Sequence, residues 1–124
     1  MNEVLVTGAG GFIGSWLCEQ LVERGFKVRA LFRYTSNKSI GWLEKYHRKD
    51  EIKLFFGDIC DKSIAKQAIP EGGFVINMAA LIGIPYSYQA PDSYLETNIK
   101  GAINYLNCSL EKDIKGFIQT STCL

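Results

Sequence analysis

The chain has 124 residues, 47% hydrophobic and 22% charged, with a formal net charge of +1. That length makes one domain, able to bury about two-thirds of its unfolded surface. Acids and bases are interspersed, leaving neither a basic stripe for nucleic acid nor an acidic tail, and no apolar run approaches the ~20 residues of a membrane span. Glu3 stands where an export signal would carry positive charge. Cys18, Cys60, Cys108 and Cys123 show no CxxC spacing, and the single histidine, His47, argues against a Cys/His zinc site. Reduced thiols in a cytoplasmic protein are the expectation.

Apolar, β-branched runs alternate with runs of helical period. VLVT (4–7) reads as a short buried strand. Phe12 to Arg24 reads as a helix with Trp16, Leu17, Leu21 and Val22 on one face and Gly25 as its C′ glycine. KVRALFR (27–33) is a second strand, and Ser39 to Tyr46 a short helix. IKLFFG (52–57) is a third strand, after which Asp61 can N-cap a helix that Pro70 helps to stop. FVINMAA (74–80) is a fourth strand and Leu81 to Pro91 a loop. Ser93 and Glu96 have capping-box spacing and are expected to open a long helix to about Glu111, before a fifth strand in GFIQTS. Short, continuously apolar strands alternating with helices mean a parallel sheet covered on both faces. Right-handed crossovers then give an α/β, doubly wound, Rossmann-like sheet of five strands ordered 3-2-1-4-5, with no domain boundary inside 1–124.

The first strand runs into TGAGGFIG, in which Gly8, Gly11 and Gly14 are spaced G-x-x-G-x-x-G. Gly8 permits the tight turn, Gly11 lets backbone N–H groups approach a pyrophosphate, and Gly14 lets the helix sit close to the sheet. The helix N-terminus adds unpaired donors and a positive dipole end. The alternative is a tight structural turn; a Walker-type loop is excluded because no Gly-Lys-Ser/Thr follows. No Asp or Glu lies between Gly25 and Leu43, whereas Arg33 ends the second strand with Lys38 close by. An acid would suit the ribose 2′-hydroxyl of NAD; Arg33 suits a 2′-phosphate, which favours NADP over NAD. The alternative for Arg33 is a solvated strand-end residue, or one stacked on adenine.

Together VTGAGGFIGSWLCEQL, GDICD, NMAALIGIPYSYQAPDSYLETNIKGAINYL and FIQTST resemble the extended short-chain dehydrogenase/reductases, within them the nucleotide-sugar epimerases and 4,6-dehydratases. RYTSNKSIGWLE with AALIGIPYSYQAPDSY is similar to bacterial dehydratase-like members acting on UDP- or GDP-linked amino sugars. The resemblance implies that Gly8, Gly11 and Gly14, with the backbone of Phe12 and Ile13, hold the pyrophosphate. It implies that Asp58 and Ile59 bracket the adenine, that Ala79 and Ala80 lie against the cofactor ribose, and that Asn98 bonds backbone near the active site. Read without the family, Asp58 is equally a turn residue before the Asp61 cap. Asn77 stands where many relatives carry histidine, and is equally a strand-end residue bonding to a loop. Tyr86, Ser87 and Tyr88 would lie on the rim where a sugar nucleotide enters, or simply pack there.

The family reaction starts with hydride transfer from sugar C4 to the nicotinamide, assisted by a Tyr-x-x-x-Lys pair and by a Ser or Thr at the end of the fifth strand. The family pattern places that last role on Thr122. The only Tyr-x-x-x-Lys in the chain, Tyr34 to Lys38, lies beside the second strand, far from the hydride. The expectation is therefore the N-terminal, NAD(P)-binding part of such an enzyme, C-terminally truncated, without its substrate domain and not catalytic alone. A stand-alone NAD(P)-binding module, a subunit completed by another chain, and an interaction remnant are the alternatives. Partners implied are a nucleotide-sugar substrate in the intact enzyme and a homodimer through the helix around 94–111, with no nucleic acid and no membrane.

Overall fold

The computed structural model describes residues 2–82 and 84–121. Five strands, β1 (Glu3–Thr7), β2 (Lys27–Phe32), β3 (Lys53–Phe56), β4 (Phe74–Asn77) and β5 (Gly116–Gln119), form one sheet in the order β3-β2-β1-β4-β5. Every pairing is parallel, as the alternation of strands and helices requires. Successive residues of β1 serve opposite faces. Val4 and Val6 pack with Cys18 and Val22 of α1 (Phe12–Glu23), while Leu5 packs with Ala65 and Ala68 of α2 (Lys62–Ala68) and with Tyr105 and Cys108 further along. A strand buried on both sides must be apolar throughout, and VLV is.

α1 ends in a Schellman motif. Gly25, at φ +89°, donates its N–H to Val22 O (3.0 Å), and Phe26 donates to Leu21 O (3.0 Å). The buried face of α1 is rotated from the expected one: Val22, Leu17 and Leu21 pack on the core as expected, and Trp16 does not. Gly14, Ser15, Cys18 and Val22 face the sheet, Leu17 and Leu21 pack at the margin, and Trp16 is exposed. Small residues face inward because the helix approaches the strand ends too closely for an indole. The 39–46 helix is a 3₁₀ segment, Gly41–Lys45, and a second one covers Lys49–Glu51. Asp61 caps α2 as expected, its Oδ1 accepting from Ser63 N at 2.8 Å.

The segment expected to be a loop contains α3 (Ile84–Gln89). The helix that follows starts at α4 (Pro91–Tyr94), passes through π-type turns (Leu95–Lys100) and continues as α5 (Gly101–Glu111). Its start is set by Pro91 at the first helical position, with Ala90 as an N-cap lacking a side-chain bond. The Ser93/Glu96 capping box therefore does not form: both residues lie inside the helix, and Glu96 pairs with Lys100 at 2.7 Å.

Candidate functional site

Strand order reverses between β1 and β4, and the loops leaving the carboxyl ends of strands at such a switch point form a natural crevice. The turn off β1 is built for close approach. Gly8 adopts φ +66°, and a Cβ there would lie 3.0 Å from the backbone of Met78 and Ala79. Gly8 O accepts from Gly11 N at 3.2 Å, closing the turn, and Ser15 N donates to Gly11 O at 2.9 Å as the helix begins. A Cβ on Gly14 would stand 2.2 Å from Gly8 O, so the helix enters at a distance only glycine permits.

No side chain caps α1 at Gly11, and its first turn holds no acid. Among the described residues the N–H groups of Phe12, Ile13 and Gly14 have no acceptor. Three aligned donors at the positive end of a 12-residue helix, beside a glycine turn without side chains, make a cradle for an anion such as a pyrophosphate. The turn is braced from outside by a feature the sequence reading missed. Gly41, at φ +58°, sits where a Cβ would be 2.2 Å from Gly10 O, and Trp42 N donates to that same oxygen at 3.2 Å. A cleft of about 400 Å³, lined by Gly10, Gly41, Trp42, Glu44 and Lys45, lies against this side, and Phe12 and Trp42 meet edge to face at 5.5 Å. The signal available in the sequence was the lone glycine in KSIGWL.

On the inner side, Thr7 joins the turn to β4. Its hydroxyl accepts from Met78 N (3.0 Å) and Ala79 N (3.1 Å) and donates to Asn77 Oδ1. Ala79 is half-buried and Ala80 exposed, so small side chains border the glycine turn along the end of β4. Asn77 is buried, with its Nδ2 donating to Gln119 Oε1 at 2.8 Å. Asn98, in the π-type turns, clamps the strand exit at two points: Oδ1 accepts from Leu81 N (2.9 Å) and Nδ2 donates to Leu81 O (3.0 Å). Its amide is engaged by the chain itself, so it fixes the backbone after β4.

Arg33 follows the end of β2, is exposed and forms no ion pair among the described residues. Gly57 N donates to Phe32 O at 3.0 Å, tying the end of β3 to that of β2. Asp58 is exposed; its Oδ1 accepts from Cys60 N (2.9 Å) and its carbonyl from Asp61 N (3.0 Å), so it shapes the turn into α2. Ile59 turns its side chain into the core, where a Cβ on Gly101 would come 2.7 Å from Ile59 Cγ2, and its carbonyl accepts from Asn104 Nδ2 at 2.9 Å. Tyr86 and Tyr88 are exposed on α3. Thr122 lies outside the described residues. The glycine turn thus contacts the start of the 78–80 segment directly, while Arg33 and Asp58 sit at the ends of the two strands on its other side.

A family model described as GDP-mannose 4,6 dehydratase matches residues 5–123. A UDP-glucose 4-epimerase of Schizosaccharomyces pombe is 32% identical, with 96% of this chain aligned to 34% of its length. Cinnamoyl-CoA reductase 1 of Petunia hybrida is 30% identical, with 96% of this chain aligned to 34% of its length. The crystal structure of UDP-glucose 4-epimerase from Bifidobacterium longum in complex with NAD+ and UDP superposes with a TM-score of 0.84 at 25% identity, over 98% of this chain and 37% of that one. The chain therefore spans about a third of the length of the curated relatives it matches.

Proposed function

The chain belongs to the nucleotide-sugar epimerase and dehydratase branch of the extended short-chain dehydrogenase/reductases, and we propose that it forms the dinucleotide-binding part of such an enzyme. The observation that carries this reading is the uncapped N-terminus of α1. The unpaired N–H groups of Phe12, Ile13 and Gly14 open beside a turn in which a Cβ on Gly8 or Gly14 would strike backbone. In this reading these donors bind the pyrophosphate of a nicotinamide dinucleotide. A bound nicotinamide would supply the acceptor for a hydride from a sugar carbon. The chain's own residues bind and orient: Ala79 and Ala80 let the ribose approach, Asp58 and the Ile59 backbone border the adenine, and Asn98 holds the exit of β4 in place. Thr122 hydrogen-bonds the reacting sugar hydroxyl.

Arg33, exposed at the end of β2 and free of ion pairs among the described residues, supports NADP over NAD. A nucleotide sugar is the proposed substrate of the whole enzyme, since a GDP-mannose 4,6 dehydratase model and a UDP-glucose 4-epimerase are among its matches. The similarity to a cinnamoyl-CoA reductase makes an acyl-CoA thioester the competing substrate class. Calorimetric titration with NADP, NAD and ATP tests the cofactor reading. Saturable binding of NADP ahead of NAD is expected, with Arg33→Ala lowering NADP affinity about 10- to 100-fold and leaving NAD unchanged. Equal losses for both cofactors would remove the 2′-phosphate role; no binding of either at millimolar concentration would remove the dinucleotide site.

A further inference from the structure

Thr7, Asn77 and Gln119 are register partners at the last paired positions of β1, β4 and β5. Their side chains form a continuous hydrogen-bonded row across the sheet's carboxyl edge. The direction of that row follows from Thr7. A hydroxyl has one proton and two acceptor positions. Both acceptor positions are filled by backbone donors whose hydrogens are fixed, Met78 N at 3.0 Å and Ala79 N at 3.1 Å. The proton must therefore face the third neighbour, the Asn77 side chain, whose Oδ1 accepts it.

The Asn77 amide is thus oriented with Oδ1 toward Thr7 and Nδ2 outward to Gln119 Oε1 at 2.8 Å. Gln119 in turn directs Nε2 to Thr120 O at 3.3 Å. Thr7 and Asn77 are 0% and 1% exposed, whereas Gln119 is exposed. Water reaches the outer end of the row but not the inner two members, so residue 119 either matches or opposes the amide orientation that Thr7 requires.

We propose that Gln119 is a positioning residue for the glycine turn. By accepting from Asn77 Nδ2 it supports the amide orientation that takes the Thr7 proton, which leaves both acceptor positions of the hydroxyl to the N–H groups of Met78 and Ala79 beside Gly8. It thereby couples the end of β5 to the turn through two buried side chains. Its consequence for cofactor binding rests on the dinucleotide reading above; the polarity of the row does not.

The test uses the 124-residue chain with Gln119→Glu, Gln119→Met and Gln119→Lys. Glutamate keeps an acceptor facing Asn77, methionine removes it, and lysine presents a donor of the wrong polarity. Because position 119 is exposed, all three should fold, as circular dichroism verifies. Hydrogen exchange at the Met78 and Ala79 amides, followed by NMR, should be unchanged with glutamate and about tenfold faster with methionine or lysine. Dinucleotide affinity should follow the same order, retained with glutamate and weakened about three- to tenfold in the other two. Equal exchange rates in all four proteins, or lysine behaving like glutamate, would overturn the proposal. If the parent chain bound no dinucleotide, the functional reading would fall, while the exchange pattern would still decide the polarity.

Discussion

Gly14 and Gly8 meet so closely that a single methyl group does not fit between them: a Cβ on Gly14 would lie 2.2 Å from the Gly8 carbonyl oxygen. At Gly11 the nearest atom to a Cβ is 3.5 Å away, an ordinary contact, and its φ of −76° suits any residue. The two glycines therefore fail differently. Gly14→Ala should cost about 1–3 kcal/mol by forcing helix and turn apart, and should lose dinucleotide binding with it. Gly11→Ala should keep the melting temperature yet weaken dinucleotide affinity at least about tenfold, because its methyl group intrudes where the pyrophosphate approaches. Thermal melts and titrations on both variants separate a role in folding from a role in binding.

Thr7 is fully buried and satisfies two backbone N–H groups and one side-chain amide. Thr7→Val keeps the shape and strands those partners, so urea unfolding should show a loss of about 2–4 kcal/mol. Thr7→Ser, which keeps the hydroxyl, should restore most of it. A valine variant as stable as the parent would show that the hydroxyl contributes nothing.

Cys18 lies against β1 with its thiol pushed up from 9.0 to about 12, first by burial and then by the Glu19 carboxylate. The folded state therefore holds the proton more tightly than the unfolded state. The corresponding stability is fully present below pH 9 and is lost as pH rises toward about 12, at up to ~1.4 kcal/mol per pH unit. Urea midpoints at pH 7 and pH 10.5 should differ in that direction, and Cys18→Ala should reduce the difference, the remainder belonging to Cys60, Cys108, Tyr46 and Tyr105, which burial also pushes up. The same protonation predicts that the native chain resists thiol alkylation at Cys18 at neutral pH.

The helix after Pro91 exposes Leu95, Ile99, Ile103, Leu106 and Leu110 at spacings of four, four, three and four, a continuous apolar stripe on one face. A homodimer through this stripe is the expected assembly. Sedimentation velocity should show a dimer for the parent chain and a monomer for Ile103→Glu, with unchanged circular dichroism. A monomeric parent at all concentrations would refute the assembly.

Much of the architecture was legible because it rests on local signals. The Asp61 cap, the Gly25 stop and the apolar strands each follow from residues a few positions apart, and strand–helix alternation then leaves few topologies. The misread segments are places where two local signals competed. Two prolines within 81–91 favour a loop, but proline also suits a first helical turn; α3 includes Pro85, and Pro91 opens α4. The Ser93/Glu96 spacing lost to that proline. Trp16 looked like a core residue by period, yet close packing at Gly14 and Ser15 rotates it outward.

The glycine turn was legible because a strand and an amphipathic helix flank it. The row Thr7–Asn77–Gln119 was not, since its members are 70 and 42 residues apart and meet only through the register of three parallel strands. The packing of Gly41 against Gly10 was hidden for the same reason: a glycine's need for space is visible only when the opposing backbone is in place.

Whether the turn after β1 holds a nicotinamide dinucleotide is decided by an NMR titration of the ¹⁵N-labelled chain with NADP. Saturable amide shifts should concentrate at Gly11, Phe12, Ile13 and Gly14, with a second group at Arg33 and Asp58, and both groups should be lost in Gly14→Ala. Shifts confined to other surfaces, or none at millimolar NADP and NAD, would contradict a dinucleotide site at this turn.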